Sequence, residues 1–188
     1  MYPKRCPFCQ EIRSKGICDD CRKQVVKVGK IKCIHCGKPL EGETKEYCRD
    51  CERRKSNYEQ GRSLWVHIPP VSNSLYRLKY HNKRYYAEIF GKELADEFEF
   101  QIRRWGIQAI IPIPLHRSKM RKRGYNQAEL LAKQLSECMG IPIEKDVLYR
   151  IKKTRPLKEM NGGAETQKSE GGICGFKIVE STPEHSSD

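Results

Sequence analysis

The chain has 188 residues, 37% of them hydrophobic, 10 cysteines and a formal net charge of +13. No run approaches the roughly 20 apolar residues that span a membrane, and the start, MYPKRCPFCQ, has no apolar signal-peptide core. A cytoplasmic protein with anionic partners is expected, and reduced thiols in that compartment point to metal rather than disulfides.

Eight of the ten cysteines form four C-x-x-C pairs: Cys6/Cys9, Cys18/Cys21, Cys33/Cys36 and Cys48/Cys51. Spacers of eight, eleven and eleven residues separate them. Each pair converges two sulfurs, and two pairs close a tetrahedral Cys₄ shell of the kind Zn²⁺ takes in structural sites. Sequential pairing is the simplest. Cys6, Cys9, Cys18 and Cys21 would hold one zinc; Cys33, Cys36, Cys48 and Cys51 would hold a second. Four pairs in register favour zinc over an iron–sulfur cluster or a redox dithiol. In CIHCGKPL, Gly37 follows the second cysteine and permits a positive-φ knuckle turn. His35 lies between two ligands of a full shell and reads as a spectator. Eight thiolates with two zinc ions lower the formal charge from +13 to about +9. The ribbons are expected over 1–56, and zinc supplies stability that few large apolar residues could.

A charged linker, CERRKSNYEQGRS, precedes LWVHI (64–68), a short predicted strand. SNSLYRLKYHNK reads as a helix capped by Ser72 or Asn73. Over 85–105, Tyr86, Ile89/Phe90, Leu94, Phe98, Ile102 and Trp105 recur with helical spacing. IQAIIPIP (107–114) has the continuous apolar character of a buried parallel strand. A second helix is expected over 126–139, opened by Asn126 and Glu129 as a near capping box, with Leu131 and Leu135 inward and Gly140 closing it. Cys138, late in this helix, reads as a small buried hydrophobe. IPIEKDVLYRIK holds one or two strands. This alternation predicts an α/β domain over 57–188.

Between strand and helix lie five bases, Arg117, Lys119, Arg121, Lys122 and Arg123, then Gly124. In α/β sheets ligands sit beyond the carboxyl ends of the strands, and a helix N-terminus offers N–H groups to an anion. The segment is therefore expected to be a basic, anion-binding loop; the competing reading is a solvated charge run.

IIPIPLHRSKMRKRGYNQAELLAKQL closely resembles the signature of the ComF family of competence, amidophosphoribosyltransferase-like proteins. YRLKYHNKRYYAEIFGKELA resembles its Leu-Lys-aromatic segment, here Leu78, Lys79 and Tyr80. LYRIKKTRPLKEMN resembles a third segment; Thr154 fits it, and Leu157 stands where glutamine is usual. The resemblance runs from Cys6 to about Met160.

It implies a type I phosphoribosyltransferase-like fold behind a double zinc ribbon, and a role in DNA uptake during natural competence. The implied ligand is phosphoribosyl pyrophosphate (PRPP) with Mg²⁺. By match, Arg117, Arg121, Arg123, Gly124, Tyr125, Asn126 and Gln127 would face its phosphates, with Lys79, Lys153 and Arg155 adding charge. The family's PRPP loop, roughly V-D-D-x-x-T-T-G-x-T, would follow FKIVESTPEH, and no segment matches it. NGGAETQKSEGGICGFKIVE matches the preceding family region only loosely. An incomplete domain is therefore expected, with turnover doubtful and no catalytic residue assigned. The alternative is a non-catalytic zinc-ribbon module that binds single-stranded DNA or a competence-machinery partner such as a helicase. Tyr47, Tyr58 and Trp65 would stack bases in that reading, or simply pack.

Overall fold

The computed structural model describes residues 4–12, 16–42, 44–53, 57–151 and 176–178. Expectations for Lys153, Thr154, Arg155 and Leu157 lie outside these residues. Contacts divide the chain into two units, Met1–Lys83 and Arg84–Asp188.

The first unit is built on a repeated knuckle. Arg5 bridges Ile12 and Lys32 bridges Pro39, both antiparallel, around turns at 7–9 and 34–36. The Cys6 N–H donates to the Glu11 carbonyl (2.9 Å), and the Cys33 N–H to the Lys38 carbonyl (2.8 Å). Each knuckle is followed by a short helix beginning just after a cysteine: α1 (Asp19–Gln24) after Cys18, α2 (Arg49–Arg53) after Cys48. Asp19 and Asp20 in the first turn of α1, and Asp50 and Glu52 in that of α2, face the positive end of the helix dipole.

The expected linker is packed. The Gly61 N–H donates to the His35 carbonyl, and Arg62 Nη1 donates to the Ile34 carbonyl (3.3 Å). The Val28 N–H reaches the Leu64 carbonyl, the Val66 N–H reaches that of Val26, and Lys27 bridges Trp65. The strand expected at 64–68 is thus one antiparallel bridge. Next comes α3 (Val71–Tyr80), which starts earlier than expected: Pro70 is the N-cap residue and no side chain caps it. Its Val71, Ser74 and Leu78 are buried.

In the second unit α4 (Tyr86–Arg104) packs on α6 (Gln127–Met139). A close approach makes this possible: a Cβ on Gly91 would lie 2.4 Å from Gln134 Cβ. The buried stripe of α4 is Tyr86, Ala87, Phe90, Gly91 and Ala95. The expected stripe continued to Trp105, which is 37% exposed; Ala87, Gly91 and Ala95 are buried instead, and Gly91 meets Gln134 of α6. On α6 the buried positions are Ala132 and Met139; Leu131 and Leu135 are half-buried, and Cys138 is exposed.

The expected strand at 107–114 is limited to one parallel bridge, Ile110 to Ile143, held by the Ile110 N–H to the Pro142 carbonyl (2.8 Å) and the Glu144 N–H to the Ile110 carbonyl (3.0 Å). Strand β1 (Leu148–Arg150) pairs antiparallel with β2 (Phe176–Ile178), Leu148 opposite Ile178. The described part of this unit is therefore mostly helical.

Candidate metal centres and basic segment

The knuckles bring the eight cysteines together as the spacing predicted. Cys6, Cys9, Cys18 and Cys21 form one group and Cys33, Cys36, Cys48 and Cys51 another, the sulfurs of each lying within 4.8 Å of one another. Sulfurs 2.3 Å from a tetrahedral zinc would lie roughly 3.8 Å apart. Cys9 Sγ is 3.7 Å from Cys18 Sγ, and Cys36 Sγ is 3.6 Å from Cys48 Sγ. Both groups fit a structural Cys₄ zinc ion, with every ligand position filled by protein.

The electrostatics agree. Burial opposes the Cys6 thiolate, but backbone hydrogen bonds at Cys18, Cys9 and Phe8 bring its pKa from 9.0 to about 7. Cys33 is lowered likewise to about 6, against burial, by backbone bonds at Cys36, Cys48 and His35. Burial and then the neighbouring thiols push Cys21 and Cys51 upward. One sulfur per cluster ionises readily and another resists, so a dication is what allows all four to be thiolates.

Gly37 takes φ 72°, as expected from its place after Cys36. His35 is a spectator: its ring stacks on Tyr58 (4.4 Å between centroids, 14°), and its Nδ1 contacts the Glu59 carbonyl at 2.9 Å. Trp65 packs edge-on against Phe8 (5.6 Å), while Tyr47 is 42% exposed. Of the three aromatics considered for base stacking, two therefore already have ring partners.

The basic segment is helical rather than a loop. α5 (Arg117–Arg123) starts at His116, whose Nδ1 accepts from the Ser118 N–H (3.3 Å), and ends at Gly124 with φ 76°. No apolar periodicity marks it in the sequence; its signals are the cap and the glycine. Arg117, Arg121 and Lys122 are exposed, and Lys119 and Arg123 are half-buried.

Tyr125 and Asn126 are buried. The Arg84 guanidinium carbon sits 4.7 Å from the centre of the Tyr125 ring. Burial raises the Tyr125 pKa, and the charges of Arg123 and Arg84 partly oppose this. Asn126 is used at both ends: Oδ1 accepts from the Ala128 N–H (3.0 Å), and Nδ2 donates to the Ile113 carbonyl (3.0 Å). It thereby caps α6 and ties it to the segment before α5. Glu129 bonds Lys145 Nζ (2.6 Å) instead of completing a capping box. Gln127 Oε1 accepts from Arg123 Nη1. Lys79 lies on α3, in the first unit.

Two closed Cys₄ sets on paired knuckles define a double zinc-ribbon protein carrying a second, basic unit. Residues 1–52 match the double zinc ribbon domain model. Competence protein F of Haemophilus influenzae is 30% identical over 156 residues, 80% of this chain and 67% of that protein. Competence protein ComFC of Bacillus subtilis is 28% identical over 132 residues, 67% of this chain and 52% of that one. DNA utilization protein YhgH of Escherichia coli K12 is 25% identical over 142 residues, 74% of this chain and 62% of that one. The chain belongs to the ComF family. The chain thus spans only about half to two thirds of these relatives. No solved structure matches it. Among the described residues, no helix is long and apolar enough to cross a membrane.

Proposed function

We propose that this chain acts in DNA uptake, in the cytoplasm, as a zinc-ribboned phosphoribosyltransferase-like protein whose 112–127 segment binds the phosphates of PRPP. The carrying observation is the charge arrangement of α5. Arg117 and Arg121, and Lys119 and Arg123, stand four residues apart on one short helix. Like charges at that spacing destabilise a helix, and an anion held by the exposed Arg117/Arg121 pair would relieve the repulsion on that face.

The neighbouring residues support positioning more than chemistry. Asn126 and Tyr125 are buried and hold α5 against the start of α6, leaving Arg117, Arg121 and Lys122 to meet the ligand. Residues 112–127 contain no Asp or Glu, so they suit an anion and not a bare Mg²⁺; the metal would arrive on the ligand's own phosphates. The proposal is of binding rather than turnover. The relatives' names, two competence proteins and a DNA utilization protein, support the setting in competence; single-stranded DNA and a competence helicase are the partners proposed there.

Calorimetric titration of the zinc-loaded protein with PRPP and Mg²⁺ tests this. Saturable heat that Arg117→Ala/Arg121→Ala abolishes is expected. No heat from a folded, zinc-loaded protein contradicts it.

A further inference from the structure

The first unit carries a cleft that neither the zinc centres nor residues 112–127 use. It measures about 340 Å³, within the range of small-ligand sites, and is lined by Gln10, Asn73, Tyr76, Arg77, His81 and Lys83. Asn73, Tyr76, Arg77 and Tyr80 fall at i, i+3, i+4 and i+7 of α3, so one helix face presents them together.

The lining combines three kinds of chemistry. Tyr76 is 53% exposed and forms an aromatic wall with Tyr80 (ring centroids 4.7 Å apart) and His81 (5.5 Å). Arg77 and Lys83 bring positive charge, and no lining residue is acidic. Arg77 is oriented by its Nη1 bond to the Phe8 carbonyl (3.3 Å), which also ties α3 to the first knuckle. Asn73 and Gln10 contribute amide donors and acceptors. Gln10 is the informative member. It takes φ 69° where the second knuckle has Gly37 at φ 72°. A side chain retained in a region that disfavours one, and placed in a cleft, is the mark of a functional position.

We propose that this cleft binds a nucleotide, its base stacked on Tyr76 and its phosphate held by Arg77 and Lys83, with Gln10 and Asn73 meeting the base edge. Aromatic faces accept any base by stacking, and Arg with Lys supplies the charge-assisted bonds a phosphate takes. The same chemistry is offered by a free nucleotide and by one unit of a single strand. The site is independent of the PRPP reading, because none of its lining residues lies in 112–127.

The test is calorimetric titration of the full zinc-loaded chain with AMP and, separately, with pentathymidylate. Saturable binding of either probe is expected, weakened at least tenfold by Tyr76→Ser and by Lys83→Glu but retained in Tyr76→Phe. AMP binding identifies a free nucleotide as sufficient; binding of pentathymidylate alone identifies a unit within a strand. The thiolate–Co²⁺ absorption of cobalt-substituted protein verifies each variant's fold, and either variant alone suffices. The inference is overturned if neither probe binds, or if Tyr76→Ser or Lys83→Glu with intact cobalt absorption binds as tightly as the wild type.

Discussion

Gln10 and Gly37 hold the same place in two zinc knuckles: each follows a C-x-x-C pair, donates its N–H to the first cysteine's carbonyl, and has φ near 70°. Their surroundings differ. A Cβ at 37 would lie 2.9 Å from the Gly61 carbonyl oxygen and 3.0 Å from Arg62 Cα. Gln10→Gly should therefore raise stability, by about 1 kcal/mol of relieved left-handed strain. Gly37→Gln should lower it by about 2 kcal/mol or more, from strain and clash together. Chemical denaturation of the zinc-loaded variants measures both.

The close approach of α4 and α6 depends on Gly91. Gly91→Ala places a methyl 2.4 Å from Gln134 Cβ and 2.7 Å from its Cγ. The gain in helix propensity, about 1 kcal/mol, is smaller than the overpacking cost of about 1–3 kcal/mol. Net destabilisation is expected. Gly91→Ala/Gln134→Ala leaves the Cβ–Cβ contact in place while removing Cγ, so it should recover only part of the loss. A thermal melt of the three proteins measures it.

Asn126 is more a structural than a ligand-facing residue in this arrangement. Asn126→Ala should cost about 1–2 kcal/mol, because α6 loses its cap and the Ile113 carbonyl loses a donor. Asn126→Asp keeps the cap and should lose less. Denaturant midpoints of the two variants distinguish these contributions.

Acid should release zinc. In the metal-free clusters Cys6 and Cys33 have pKa values lowered from 9.0 to about 7 and about 6. A lowered thiol pKa contributes stability that is full above the unfolded value of 9.0 and is lost as pH falls through the folded values near 7 and 6. Cys21 and Cys51 are raised, so zinc must displace their protons and its affinity climbs further with pH. A chromophoric chelator should thus extract zinc faster at each step of acidification. Chelation at neutral pH should unfold the ribbons, seen as lost amide dispersion for residues 4–53.

The metal centres were legible because ligand chemistry fixes cysteine spacing independently of the rest of the fold. α4 and α6 were legible from apolar periodicity, although inward alanines and Gly91 shifted the buried face of α4. α5 was not: RSKMRKR has no apolar stripe, and a His cap with a left-handed Gly124 sets its ends. The strand expected at 107–114 was read from composition. Among the described residues, only the 142–144 segment pairs with its backbone, and Ile107, Ile111 and Ile113 are 40–52% exposed. Composition also hid the packing of 57–66, where the Gly61 N–H and the Arg62 guanidinium donate to carbonyls of the second knuckle and Leu64 and Val66 pair with Val28 and Val26. The Tyr76 cleft has only a partial mark in the sequence: Asn73, Tyr76, Arg77 and Tyr80 share a helix face at i, i+3, i+4 and i+7, but Gln10 comes from the first knuckle far away in the chain.

The most direct test of the phosphate-binding account is an amide chemical-shift titration of the zinc-loaded, ¹⁵N-labelled chain with PRPP and Mg²⁺. Saturable shifts centred on Arg117, Arg121, Gly124 and Gln127 are the predicted result. Shifts confined to other residues, or none at all from a folded protein, would contradict the assignment of residues 112–127 to a phosphorylated ligand.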